Sequence, residues 1–290
     1  MNSKSLKAIK DEIENKITES LNNFGIMFRV FTRIKGIDSL NKKIDSNEKY
    51  RKQEKKIQDI LGIRIVLYFP DDIKIVHKII SRLYIENSKD ASIDEPSGEI
   101  FKPIRYNLIY NLPNETYFGS IYQDIKAYID LTFEIQIRTV LSEGWHEVEH
   151  DLRYKFKEDW DSSPEEYRKL NGVYASLETN EWTMLQILHS VSYKHYKNRN
   201  WDAMFRQHFR MRMTNYYLSE EIKKIFNENP EIAKSLFKLD RSTLIEKMYE
   251  KYYSEPLTID NIIYFANAAF IKNDKIKNIT PVPFFEDFAN

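Results

Sequence analysis

The sequence predicts an α+β fold: a mixed sheet of about five strands flanked by helices, followed by a helical C-terminal extension. Three observations carry this expectation. Leu131, Phe133, Ile135 and Ile137 alternate with Thr132, Glu134, Gln136 and Arg138, the two-residue period of a strand with one apolar and one polar face. Ile63, Ile65, Leu67 and Phe69 alternate with Arg64, Val66 and Tyr68 in the same way. From Val140 onward the apolar residues step by three and four, a helical period that runs, punctuated by Pro230 and Pro256, to about Ala269.

Each element can be justified in chain order. Leu6, Ile9, Ile13, Ile17, Leu21 and Phe24 mark one face of an amphipathic helix, and Gly25 suits the left-handed stop past its end. Ile26 to Lys35 is β-branched and aromatic and reads as a strand. The charged stretch from Asp38 to Ile60 reads mostly as helix, and Gly62 to Phe69 as the next strand. Pro70 and two acids then open a helix with apolar residues at Ile73, Val76, Ile79, Ile80 and Leu83. Asn87 to Glu99 has loop composition, and Ile104 to Pro113 reads as a strand. Past Val140, Leu141, Trp145, Val148, Leu152 and Phe156 predict one buried helix face, and Ser163-Pro164-Glu165-Glu166 predicts a fresh helix start. These elements place an α+β domain at 1–157 and the helical extension at 158–290.

Composition bounds the function. With 42% hydrophobic and 30% charged residues a sizeable core is expected, and only 7 Gly argue against Gly-rich phosphate loops. Zero net charge removes any global attraction to nucleic acid or anionic lipid. The chain has no Cys, which excludes disulfides, thiolate zinc sites and a Cys nucleophile. The charged N-terminus has no apolar signal segment and no run is long enough to span a membrane, so a cytoplasmic protein without membrane contact is expected.

Two acids attract a chemical reading. Asp59 lies just before the strand at Gly62, and Glu134 lies on the polar face of the strand at Leu131. Carboxylates on neighbouring strands could hold Mg²⁺ together with substrate phosphates. Arg33, Lys35, Lys43, Arg64 and Arg138 lie in or beside the strands and could neutralise charge on a transferring phosphoryl group. Taken singly, each reads better as an ordinary surface ion pair; it is their grouping on several strands that points to phosphoryl chemistry.

Phe28 to Ile44, Ile57 to Ile73 and Phe133 to Lys155 resemble, in order and spacing, the synthetase domain of the RelA/SpoT family. The pieces Asp59-x-x-Gly62-Ile63-Arg64 and Glu134-Ile-Gln136-Ile-Arg138-Thr139 carry the likeness, which covers roughly residues 1–157. The resemblance implies a nucleotidyltransferase-like synthetase domain of the small alarmone synthetase kind. Its reaction moves pyrophosphate from an ATP donor to the 3′-hydroxyl of GDP or GTP. Carried over by position, Asp59 and Glu134 would hold Mg²⁺, with Glu134 also activating the acceptor hydroxyl. Arg33, Lys35, Lys43 and Arg64 would bind ATP, Gln136 and Arg138 would face nucleotide, and Glu149 and His150 would stand near the cleft. The family's hydrolase half would precede the synthetase, and the residues before Ile26 leave no room for it. The expectation is therefore a chain that makes its product without degrading it.

One segment departs from the pattern. Where the family carries a Gly-Tyr-Arg-Ser stretch ending in His, whose Tyr stacks on the acceptor guanine, this chain has Phe101 to Pro113, with Asn107 at the His position. A different acceptor, an adenine nucleotide or a tRNA 3′-end as in toxin-like members, stays open, as does a catalytically inactive nucleotide-binding module. A further alternative is a zinc hydrolase: His146-Glu147-x-x-His150 places two imidazoles one helical turn apart with a glutamate as base. The run from Tyr193 to Arg212 interleaves cations with aromatics. It suits either single-stranded nucleic acid or a helix that buries Trp201 and Phe205 and leaves its cations in water. His77 and His195 read as structural. The C-terminal helices could serve self-association to a homo-oligomer, or a regulatory partner.

Overall fold

The computed structural model describes residues 4–94, 106–113, 116–117 and 120–286. The chain packs as two units. The first comprises Met1–Glu19, Phe28–Tyr68 and His77–Thr179; the second comprises Ser20–Met27, Phe69–Val76 and Asn180–Asn290.

The first unit is built on a five-stranded mixed sheet. Its strands are β1 (Phe28–Ile34), β2 (Leu61–Leu67), β3 (Ser92–Ile93), β4 (Tyr106–Asn111) and β5 (Thr132–Thr139), in the order β1-β2-β5-β4-β3. Only the β2–β5 pair is parallel. The short β3 lies in the stretch read as loop; its partner residues are Tyr106 and Asn107. A separate two-residue parallel pair joins Lys4–Ser5 to Thr116–Tyr117.

Register sorts the side chains. Arg33, Gly62 and Glu134 stand in one cross-strand row, and Phe31, Arg64, Gln136 and Asn107 in the next. Residues in register share a sheet face, so both rows belong to the polar face. The opposite face carries Ile63, Ile65, Leu108, Tyr110, Phe133, Ile135 and Ile137, all buried. On that side, helix α1 (Leu6–Asn22) offers Glu14, which accepts a hydrogen bond from Thr32 Oγ1 at 2.6 Å. Helix α2 (Ile37–Ser46) follows β1, α3 (Ile73–Leu83) follows β2, and α4 (Val140–Glu149) follows β5. Thr139 caps α4 by accepting from the Ser142 N–H at 3.3 Å.

One predicted helix face is corrected. Trp145 is buried, its indole N–H donating to Leu170 O at 2.8 Å. Val148, Leu152 and Phe156, expected beside it, are 51%, 63% and 55% exposed. The helix underwinds into a π turn at His150–Tyr154, which takes Leu152 and Phe156 off the Trp145 stripe; Val148, before that turn, is already on the exposed side of α4.

The second unit is helical. The long α5 (Pro164–Lys197) begins at the predicted proline and continues from the first unit. It is followed by α6 (Trp201–Phe209), α7 (Glu220–Glu228), α8 (Pro230–Phe237), α9 (Arg241–Glu250) and α10 (Ile259–Ala266). Trp201, Phe205 and Phe209 are buried, while Lys194, Lys197, Arg199 and Arg212 are exposed. The basic–aromatic run thus spans two packed helices, with Lys194, Lys197, Arg199 and Arg212 in solvent and Arg206 and Arg210 bonded within the unit. Gly25 has φ +64°, and a Cβ there would lie 2.9 Å from Met211 Cβ and 3.0 Å from Arg212 O; both the backbone and the space demand glycine. The acids that open α3 do more than sit at a helix start. Asp71 receives both guanidinium nitrogens of Arg210, at 3.2 and 2.7 Å. Asp72, with no exposed surface, pairs with the 3%-exposed Arg241. Among the described residues, no helix is long and apolar enough to cross a membrane.

Candidate active site

The polar face of the sheet opens into a cleft of about 150 Å³ whose lining includes Phe31, Arg33, Arg64, Glu134, Gln136 and Glu147. Strand parity places most of these groups. Arg33 runs across the bare surface of Gly62, where a Cβ would lie 3.6 Å from its Nε. Lys35 extends the β1 ladder by one bond, its N–H donating to Ile60 O at 2.8 Å. Parity therefore carries Phe31, Arg33 and Lys35 on the same side.

Asp59 sits between two ammonium groups. It accepts from Lys35 Nζ at 2.5 Å and from Lys43 Nζ, on α2, at 2.9 Å. Burial opposes its ionisation, but Lys43 and Lys35 outweigh that and hold the carboxyl below the usual range. Lys43 is raised in return, because Asp59 overcomes its desolvation. Lys35 is lowered: burial dominates, with Lys43 and Arg33 adding like-charge repulsion. Glu134 has the opposite surroundings to Asp59. Burial first, and then the negative charge of Asp59, push its pKa up; the hydrogen bond it accepts from Gln136 Nε2 at 3.0 Å only partly offsets this. The two acids are thus close enough to feel one another, and their protonation preferences are driven apart.

A second polar network closes the far side. Arg64 Nη1 donates to Glu143 Oε1 at 2.5 Å and also to Glu147; Arg138 donates to the other Glu143 oxygen at 2.9 Å and to Gln136 Oε1 at 3.3 Å. Glu143 thereby bridges two arginines of the polar face from the first turn of α4. Burial lowers the Arg138 pKa, whereas Glu143 and Glu147 overcome desolvation and raise that of Arg64.

Of the residues singled out from the sequence, Arg33, Arg64, Glu134 and Gln136 line the cleft. Lys35, Lys43 and Asp59 form the acid–lysine cluster beside Glu134, and Arg138 lies one row further along β5. Glu149 and His150 are engaged elsewhere: Glu149 with Arg153, and His150 with Asp151 at 2.9 Å and stacked on Tyr154. Asn107 stands on the polar face opposite Gln136. Tyr106 and Tyr110 have the other parity: Tyr110 is buried beside Phe133, and Tyr106 bonds His77 at 2.8 Å. Neither can serve as a platform in the cleft. The rest of the expected acceptor segment, 101–105, lies outside the described residues.

The zinc reading is corrected. His146 packs against the rings of Trp145 and Tyr174, and its buried Nε2 has no hydrogen-bond partner among the described residues. Burial, with Arg138 and Arg64 nearby, lowers its pKa to about 4. His150 is turned to Asp151 and Tyr154. Among the described residues no three His, Cys, Asp or Glu side chains gather to hold a metal ion.

Sequence reasoning missed Phe31, Gly62 and Glu143, and gave Glu147 a different role. Gly62 had a signal, since a lone glycine inside a strand marks a close approach. His77, read as structural, links Tyr106 to Glu86, the latter at 2.9 Å.

Residues 32–159 match the model of the region found in RelA / SpoT proteins. A curated relative, the GTP pyrophosphokinase YjbM of Bacillus subtilis (strain 168), is 28% identical over 134 residues, which are 43% of this chain and 55% of the relative. The chain thus spans about half the length of that relative. Among solved structures, small alarmone synthetase 1 from Bacillus subtilis bound to its product pppGpp aligns with a TM-score of 0.44 at 22% identity, covering 62% of this chain and 91% of that one. A GTP pyrophosphokinase family protein from Streptococcus pneumoniae aligns with a TM-score of 0.42 at 22% identity, covering 63% and 88%. Residues 32–159 of this chain are thus similar to the region found in RelA / SpoT proteins.

Proposed function

We propose that the protein is a Mg²⁺-dependent pyrophosphokinase that transfers the β,γ-diphosphate of ATP to the 3′-hydroxyl of a guanine nucleotide, GDP or GTP. One observation carries the reading: Asp59, ion-paired to Lys35 and Lys43, lies just before β2, whose Gly62 stands in the cleft-lining row of Arg33 and Glu134. The match of residues 32–159 to the region found in RelA / SpoT proteins and the name of the curated relative support it.

The chemistry follows from the side chains. Asp59 and Glu134 offer the carboxylate oxygens that a small hard dication prefers, and they would hold Mg²⁺; such an ion, when bound, supplies positive charge to the donor phosphates. Arg33, Lys35, Lys43 and Arg64 would hold the triphosphate, positioning its β-phosphorus. The acceptor O3′ forms a bond to that phosphorus, the bond to the α–β bridging oxygen breaks, and AMP leaves. Glu134 would take the O3′ proton as general base. Gln136, Asn107 and Arg138 would orient the acceptor.

The test is an acceptor screen. β-labelled ATP is incubated with GDP, GTP, ADP, ATP or bulk tRNA, and labelled products are separated. Label on GDP or GTP with equimolar AMP is expected. Label appearing only on an adenine nucleotide or on tRNA would keep the chemistry and replace the acceptor. ATP bound with no label transferred to any acceptor would leave a binding module.

A further inference from the structure

Phe31 is 53% exposed, in the middle of β1, on the same face as the charged groups of the cleft. Its outward neighbours on the strand are Arg29 and Arg33, and its register partner on β2 is Arg64. The inward positions Phe28, Val30, Thr32 and Ile34 alternate with it, so Phe31 is not core displaced by a slip. It is an aromatic ring presented to solvent between guanidinium-bearing residues. Exposed aromatics beside cations are how proteins hold nucleobases, because every base has a π-face and the stack tolerates water at its rim.

The geometry points to Phe31 as the platform on which the purine of the donor nucleotide stacks, a specificity role resting on the donor reading above. β1 presents Phe31, Arg33 and Lys35 on one side at two-residue steps, each about 7 Å. Lys35 reaches Asp59, so the phosphate-binding end of the strand is fixed. A nucleotide lying along the strand with its phosphates at Lys35 and Lys43 places its base back toward Phe31. The rows also separate the donor from the acceptor: Gln136 and Asn107 continue the Phe31 row on the far side of Arg64.

Binding measured without turnover tests this. A non-hydrolysable ATP analogue with Mg²⁺ is titrated calorimetrically into wild type, Phe31→Ala and Phe31→Trp, in parallel with inorganic tripolyphosphate, which has no base. Phe31→Ala should weaken the analogue by about 10- to 100-fold and leave tripolyphosphate unchanged. Phe31→Trp should retain affinity, with added indole fluorescence quenched by the analogue and not by tripolyphosphate. Equal weakening of both ligands in Phe31→Ala would make the residue merely structural, and unchanged analogue affinity would remove its role; either overturns the platform while the donor reading stands. Wild type that fails to bind the analogue at all would sink both.

Discussion

Asp59 and Glu134 look interchangeable in the sequence, yet neutralising them should move stability in opposite directions while abolishing transfer in both cases. Asp59 is the shared counter-ion of two partly buried ammoniums, at 2.5 and 2.9 Å. Hydrogen bonds to charged groups contribute roughly 1.5–3 kcal/mol each. In Asp59→Asn the amide oxygen can still accept one of them, so a net loss of about 2 kcal/mol is expected. For a unit of this size that lowers the melting midpoint by about 4–8 °C. Glu134 carries no such partner; burial and Asp59 both disfavour its charge, so Glu134→Gln removes an unfavourable ionisation and should raise the midpoint at neutral pH. The pH dependence fixes the signs. The Asp59 pKa is depressed, so its stabilisation is complete above the unfolded value of about 3.9 and fades as acid protonates the folded carboxyl. The Glu134 pKa is raised, so the advantage of Glu134→Gln is absent below about pH 4.3 and grows as pH rises toward the folded value. Thermal unfolding of both variants without metal, from pH 3 to 8, together with AMP release from ATP, measures everything needed. Both variants losing stability alike, or Glu134→Gln losing any at pH 7, would refute the assignment of opposite environments.

Glu147→Gln frees Arg64 from the more exposed of its two carboxylate partners; ATP-analogue affinity should tighten by up to about five-fold, read by calorimetry. Arg241→Ala leaves Asp72 buried and unpaired and should lower unfolding stability in urea by about 3–5 kcal/mol, whereas the double variant Asp72→Leu with Arg241→Met recovers most of it. Asn107→Ala should change the distribution of labelled products across acceptors without changing ATP-analogue affinity. A change in the analogue affinity alone would put Asn107 on the donor side.

The sheet was legible because its signal is local. Period-two alternation in residues 131–138 and 63–69 fixes which side chains share a face, and that parity alone placed Arg64, Glu134 and Gln136 together. Phe31 obeys the same parity and could have been found from it, being the apolar member of the outward series Arg29, Phe31, Arg33. The network across the cleft was not legible, because Glu143 and Glu147 meet Arg64 across 79 and 83 residues, and nothing in α4's own pattern names that partner. Asp72 illustrates the limit more sharply. Its local reading, an acid at a helix start, was sound, yet its burial is decided by Arg241, 169 residues away. The face expected at Leu152 and Phe156 failed for a local reason, a change in helical pitch that apolar spacing does not encode.

Zero net charge leaves no global pull on nucleic acid or anionic lipid, and the cleft shows how a neutral chain can still gather cations locally. Its cations come with their own anions: Lys35 and Lys43 with Asp59, Arg64 and Arg138 with Glu143, and Arg64 again with Glu147. Arg33 is the exception, without an ion pair among the described residues. On the proposed reading, nucleotide binding on this face would be an exchange of partners more than a capture by free charge. Phosphate oxygens would take over guanidinium and ammonium groups that carboxylates hold here, and the Asp59 carboxylate released by Lys35 and Lys43 would be open to a divalent ion. Arg33, which lines the cleft without an ion pair among the described residues, would on that reading be the group to meet the incoming triphosphate first.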